Sequence, residues 1–180
     1  NVVGIGNAAG FVEPLEATAL QVIVVQASTL VTSLEETDMQ PTDSVKRVYN
    51  DYGVQQWDNI RDFLAIHYAF NDRLDTPYWR HCREHTDLGG ARGFVDFYRE
   101  NGPAVTLSDA VMDPRNHFGL EGYFAMLVGQ QVPHRPVTVS EAEHRQLREG
   151  RQKLTALGRA GMTVPEALRA IRSAGAAAWK

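Results

Sequence analysis

Val2, Val3, Gly4 and Ile5 run directly into the small-residue turn Gly6-Asn7-Ala8-Ala9-Gly10, after which apolar character returns at Phe11, Val12, Pro14 and Leu15. A short apolar run bounded by a glycine-rich turn reads as a buried strand. Residues 15–34 carry small and apolar side chains on nearly every face, which predicts a buried helix starting near Pro14 and ended by Glu35, Glu36, Asp38 and Pro41. The pattern over residues 1–34 is therefore strand, turn, helix. A second, longer helix is predicted from Thr42 or Asp43, either of which can cap it, because Val45, Val48, Tyr49, Tyr52, Trp57, Ile60, Leu64, His67 and Tyr68 recur at three- and four-residue steps opposite a charged face.

The remaining elements are announced by their ends. Asp75-Thr76-Pro77 is a helix start, a capping residue ahead of proline, and opens a short helix through Tyr78, Trp79 and Cys82. Gly89-Gly90 interrupts the chain, and residues 91–100 form a short amphipathic helix on Phe94, Phe97 and Tyr98, closed by Asn101-Gly102-Pro103. A turn is expected at Asp113-Pro114. Residues 119–128 fit either a helix or a buried apolar segment. Ser140 with Glu143, and Thr163 with Glu166 and Pro165, are capping-box signatures for two last helices, the second running into an alanine-rich tail expected to be helical to near its end.

Composition narrows the class. With 43% hydrophobic and 22% charged residues over 180 positions, the chain is ordinary for a globular protein. A formal charge of −4 gives no basic footprint for nucleic acid. Its longest apolar stretch, residues 17–25, is interrupted by Gln21 and falls short of the roughly 20 residues of a membrane span. A single cysteine, Cys82, excludes an internal disulfide and a CxxC metal site, and fits a reducing, cytoplasmic setting. No initiator methionine or secretory leader is present, and an opening strand without a partner would leave its main-chain groups unmatched, so a fragment of a longer protein is expected. No GxGxxG and no Walker-type loop occurs in the chain.

Candidate chemistry concentrates at the first turn. Gly4, Gly6 and Gly10 permit a close ligand approach or positive φ, and a helix N-terminus near Pro14 offers free N–H groups to an anion or an electron-rich ring edge. The same residues equally fit a packed turn with glycines kept for space. Glu16, placed in the first turn of the predicted helix, is explained by the helix dipole alone. Of the six histidines only His81 and His85 stand at the i, i+4 spacing of a helical metal pair, without an accompanying glutamate, and no metal is assigned to them. Tyr68, Phe70, Tyr78 and Trp79 read first as core.

The run GNAAGFVEPLEATAL closely resembles the FAD-contacting segment of the flavin-dependent tryptophan halogenases. IRDFLAIHYAF and RLDTPYWR, over residues 60–70 and 73–80, are similar to that family's helical region, and the likeness covers most of residues 1–130. What it implies is a mainly α fragment: the last strand-turn-helix of an α/β, Rossmann-like FAD-binding domain of flavin monooxygenase type in residues 1–34, followed by a helical substrate-side region in residues 35–180. Gly6, Asn7, Ala8, Ala9, Gly10 and Pro14 then fall where the family holds FAD, Glu16 at its active-site glutamate, and Thr18 and Ala19 where it contacts chloride or bromide. The reaction implied is halogenation of an electron-rich, tryptophan- or indole-like aromatic by reduced FAD, oxygen and halide, with a separate flavin reductase as transient partner.

Three departures matter. The family commonly has Ser-Thr-Gly after the glutamate, where this chain has Ala17-Thr18-Ala19. Its tryptophan-binding cluster has only Asn116-His117-Phe118 before Tyr123-Phe124 as a counterpart. Its nucleotide loop, tryptophan-rich motif and catalytic lysine belong to the part before the matched segment. The fragment alone is accordingly expected to be inactive. A flavin-dependent hydroxylase, which needs no halide site, and a non-catalytic helical interaction module are the alternative readings.

Overall fold

A computed structural model of the protein describes residues 2–173, and the last part of the alanine-rich tail lies outside the described residues. Eight helices follow one another: α1 (Ala19–Glu35), α2 (Asp43–Ala69), α3 (Pro77–His85), α4 (Arg92–Asn101), α5 (Val105–Val111), α6 (Gly119–Gly129), α7 (Glu141–Arg159) and α8 (Val164–Ser173), with 3-10 turns at Gly6–Ala8 and Gly89–Ala91. Where a side chain caps, the helix begins as the sequence predicts. Thr42 accepts from the Val45 N–H and Thr76 from that of Trp79, and Ser140 with Glu143 forms the reciprocal box. Glu166 likewise reaches back to the Thr163 N–H at 2.7 Å. Residues 119–129 resolve as helix.

Two expectations at the front of the chain are corrected. No strand is present among the described residues. Residues 2–5 lead into the turn without ladder bonds, since no described segment lies alongside to pair with them. The first helix starts at Ala19, not near Pro14. Ala17 sits in the left-handed region at φ 51°, and its N–H closes a turn onto the Pro14 carbonyl at 2.9 Å. A right-handed helix cannot pass through such a residue, so it nucleates only beyond it.

Helix α1 is also far less buried than its composition predicts. Only Val22 and Gln26 are buried, while Leu20 is 73% and Val24 67% exposed. Among the described residues its neighbours are the Gly6–Ala8 turn and α2, which cover one side.

The residues up to Val137 and those from Thr138 form two separate units. The core of the first lies where α2, the Gly89–Ala91 turn, α4 and α6 meet, around Phe63, Ile66, Phe94, Val95, Tyr98, Tyr123 and Leu127. A smaller cluster of Val22, Ile60 and Leu64, with Val12, Trp57 and Phe118 against it, joins α1 to α2. The buried Asp62 carboxylate ties the turn to α2. It accepts the Gly90 N–H at 2.9 Å and the Arg61 guanidinium at 2.6 Å, and a Cβ on either Gly89 or Gly90 would collide with it. In the second unit α7 and α8 have no buried residue.

Candidate active site

The turn at residues 6–10, which leads into the loop before α1, is packed against α1 on one side and α2 on the other. Gly6, at φ +55°, donates its N–H to the buried Gln26 side chain of α1 at 2.7 Å, and a Cβ there would strike Ile23. At Gly10 a Cβ would lie 2.6 Å from the Trp57 ring nitrogen on α2. The N–H groups of Ala8, Ala9 and Gly10 close back onto Ile5 and Gly6. Gly6 and Gly10 are thus needed for close packing, and Asn7, Ala8, Ala9 and Pro14 are the exposed residues of this segment's cofactor-binding candidates. A cavity of about 890 Å³ opens beside this turn, between residues 2–4, Ala8, Ala9, Leu30, Tyr49 and Trp57.

Glu16 is not a first-turn residue. It stands on the loop three residues before α1, whose own first turn holds no acid. Thr18 occupies the N-cap position with no side-chain cap bond, and the α1 ladder opens with the Val22 N–H on the Thr18 carbonyl at 3.0 Å. The Ala19, Leu20 and Gln21 N–H groups, which precede the first i to i−4 bond, therefore form the positive end of a 17-residue helix dipole without a side-chain cap. Glu13 contributes one carboxylate oxygen to the Leu15 N–H at 3.2 Å, while its other oxygen and the Trp57 ring nitrogen are buried without a partner among the described residues.

The carboxylate of Glu16 is engaged from a distance. His67, in the last turns of α2 and 51 residues away, places Nε2 2.7 Å from Glu16 Oε1. The other ring nitrogen, Nδ1, faces the Phe63 carbonyl at 3.1 Å, and the ring meets the Phe63 ring edge-on with centroids 5.2 Å apart. Phe63 is itself stacked on Phe118 at 3.8 Å, so the imidazole rests on the core.

His67 also lines a second cavity, of about 680 Å³, together with Leu15, Tyr68, Phe70, Trp79, Met126 and Gln130. Tyr68 and Trp79 stack with centroids 5.7 Å apart and Tyr78 meets Trp79 edge-on. Burial, and then the nearby Glu13 carboxylate, raises the Tyr68 phenol above its ordinary value, which keeps it a neutral donor. Asp72 and Arg73 stand exposed at the cavity's rim.

Several sequence candidates are placed elsewhere. Phe118 and Tyr123 are core or core-edge residues. The Tyr123 hydroxyl takes a hydrogen bond from Asn116 at 3.2 Å, and burial pushes it up to about 12. His81 and His85 stack on each other, with His85 Nδ1 against the His81 carbonyl. Among the described residues no group of three or more His, Cys, Asp or Glu side chains is placed to hold a metal. Sequence reasoning took His67 for one more helix-face position and did not single out Asp72 or Arg73.

The structure thus brings together a glutamate on an exposed loop, a core-mounted histidine paired to it, an aromatic-lined cavity and a helix N-terminus without a side-chain cap. Comparison with known proteins places the chain in a family. The family model for tryptophan halogenase matches residues 1–144. Tryptophan 7-halogenase RebH of Lentzea aerocolonigenes is 30% identical over 140 residues, 72% of this chain and 26% of that protein. Among solved structures, the lanthipeptide tryptophan 5-halogenase MibH aligns with a TM-score of 0.68 and 34% identity over 81% of this chain and 29% of its own. A flavin-dependent halogenase of Xanthomonas campestris aligns with a TM-score of 0.73 and 29% identity over 93% of this chain and 33% of its own. The chain belongs to the tryptophan halogenase family. It spans about a quarter to a third of the length of these relatives. No helix among the described residues is long and apolar enough to cross a membrane.

Proposed function

We propose that this chain is the substrate-side part of a flavin-dependent halogenase acting on an electron-rich, indole-like aromatic. In this reading residues 1–34 belong to an FAD-binding domain, and residues 35–180 to the region that borders the substrate. The observation that carries it is the Glu16–His67 pair at 2.7 Å, set between the open N-terminus of α1 and a cavity walled by Tyr68, Phe70 and Trp79.

The residues present fit the groups that the reaction needs. Asn7, Ala8, Ala9 and Pro14 are exposed toward a flavin edge, and among the described residues one Glu13 oxygen of the loop and the Trp57 ring nitrogen of α2 beside Gly10 are buried without a partner, an acceptor and a donor. Reduced FAD, when bound, supplies with oxygen and halide the hypohalous acid that halogenates the ring. A separate flavin reductase keeps it reduced. Thr18 and Ala19 head an uncapped helix, and main-chain N–H groups hold a chloride or bromide whatever side chains they carry, so Ala17-Thr18-Ala19 in place of Ser-Thr-Gly is compatible with a halide site. Glu16 acts on the halogenating species and the arene, beside the lysine that the family pattern puts before this segment.

The cavity next to His67 favours an uncharged aromatic. Its walls stack rings, whereas the only opposite charges among its lining residues, Asp72 and Arg73, are exposed at the rim, where pairing with a zwitterion is worth about 0–1 kcal/mol each. With indole and free tryptophan at equal concentration, the full-length enzyme is expected to yield more halogenated indole, by about threefold or more, a ratio that reports the two specificity constants. A clear preference for free tryptophan would show that partners for its amino and carboxylate groups complete the site. Failure to halogenate any indole-like compound would remove the reading.

A further inference from the structure

Glu16 stands on an exposed loop, where a glutamate is free to sample several rotamers. A reacting group has to be held within a fraction of an ångström and a few tens of degrees of its working geometry. The loop does not supply that constraint. Ala17, next to Glu16, is in the left-handed region, and no main-chain bond to α2 fixes the segment among the described residues.

His67 does supply it. A carbonyl oxygen only accepts, so the 3.1 Å contact with the Phe63 carbonyl assigns a proton to Nδ1. The ring is locked by that bond and by its edge contact with Phe63, which the core holds against Phe118. With Nδ1 protonated, Nε2 carries either a proton or a lone pair. A lone pair facing a carboxylate at 2.7 Å would set acceptor against acceptor, so one proton must lie between the two groups. The pair is then either imidazolium with carboxylate or imidazole with carboxylic acid. Both states point Glu16 in one direction, and neither leaves it without a proton at hand.

We propose that His67 is the positioning residue for Glu16: its Nδ1–H anchored on the Phe63 carbonyl and its Nε2 on the carboxyl, it fixes the glutamate's rotamer and keeps one shared proton on the pair. The assignment rests on the reading of Glu16 as the group that faces the reaction. It makes the C-terminal end of α2, rather than the loop that carries the glutamate, responsible for the geometry of the site.

The test compares variants of the full-length enzyme. His67→Phe keeps the ring's bulk and loses both nitrogens. It is expected to lower kcat by about tenfold or more while the KM for the arene changes by less than about threefold. His67→Gln, whose amide can still donate to the carboxyl, recovers a several-fold part of the loss. In the wild-type enzyme with nitrogen-labelled histidine, ring nitrogen–proton correlations are expected to show a proton on His67 Nδ1, and Glu16→Gln is expected to move the Nε2 resonance. If Glu16→Gln itself leaves halogenation intact, the reading of Glu16 fails. If Glu16→Gln is inactive while His67→Phe keeps wild-type kcat, the role of His67 is overturned and that of Glu16 stands. Should His67→Phe not fold, the resonance pattern and His67→Gln decide, and a neutral ring protonated only at Nε2 overturns the proposal.

Discussion

Glu16→Gln in the full-length enzyme is expected to lower the halogenation rate by about a hundredfold or more, the range in which a positioned acid or base contributes to catalysis. The substitution removes one charge and the ability to exchange a proton, and almost no volume. Its cost to the fold should be small. The Glu16 side chain is 35% exposed, packs into no core cluster, and its link to His67 can be kept in neutral form by the glutamine amide. Exposed pairs of this kind contribute about 0–1 kcal/mol, so thermal stability and FAD affinity should stay close to wild type. A loss of stability that tracks the loss of activity would make Glu16 a structural residue that ties the loop to α2.

The second large effect concerns the 180-residue chain by itself. Supplied with reduced FAD, halide and indole, it should give no halogenated product above a flavin-only control and should retain no FAD through gel filtration. The reason lies in what the sequence holds. No GxGxxG loop is present to cradle the nucleotide diphosphate, and Asn7, Ala8, Ala9 and Pro14 can border only one edge of a flavin. On the protein side, Leu20, Val24 and Val31 of α1 are open to solvent, and contiguous exposed apolar side chains commonly mark a surface that meets another. Halogenation of indole by the purified chain would show that all the necessary chemistry lies within these residues.

The parts of this structure that the sequence made legible are those fixed by neighbours. Thr42, Thr76, Ser140 and Thr163 announce their helices because a cap is a contact over three residues, and the aromatic stripe of α4 needs only its own period. The beginning of α1 was misread because Ala17 takes positive φ without the glycine that usually signals it. Its burial was overestimated for a different reason: an apolar pattern records what favours burial, not whether a partner is present to provide it. Helix α5 escaped notice, being seven residues long and uncapped by any side chain. At the candidate site the sequence pointed to Glu16 through the resemblance alone, and assigned it a helix-terminus explanation that the structure removes. His67 could not be paired with it, because a contact across 51 residues leaves no periodic trace. The one available signal was its place in the stretch IHYAF, which carries part of the family likeness.

What the full-length enzyme makes from an indole in the presence of reduced FAD and oxygen separates a halogenase from a hydroxylase. Mass analysis of the product, with bromide substituted for chloride in a parallel reaction, is the most direct measurement. If Glu16 faces the reaction and the uncapped end of α1 holds the halide, the product is a ring-halogenated compound whose mass and isotope pattern follow the halide supplied. A hydroxylated product, formed at the same rate with either halide or with none, would contradict it and make the protein a flavin-dependent hydroxylase.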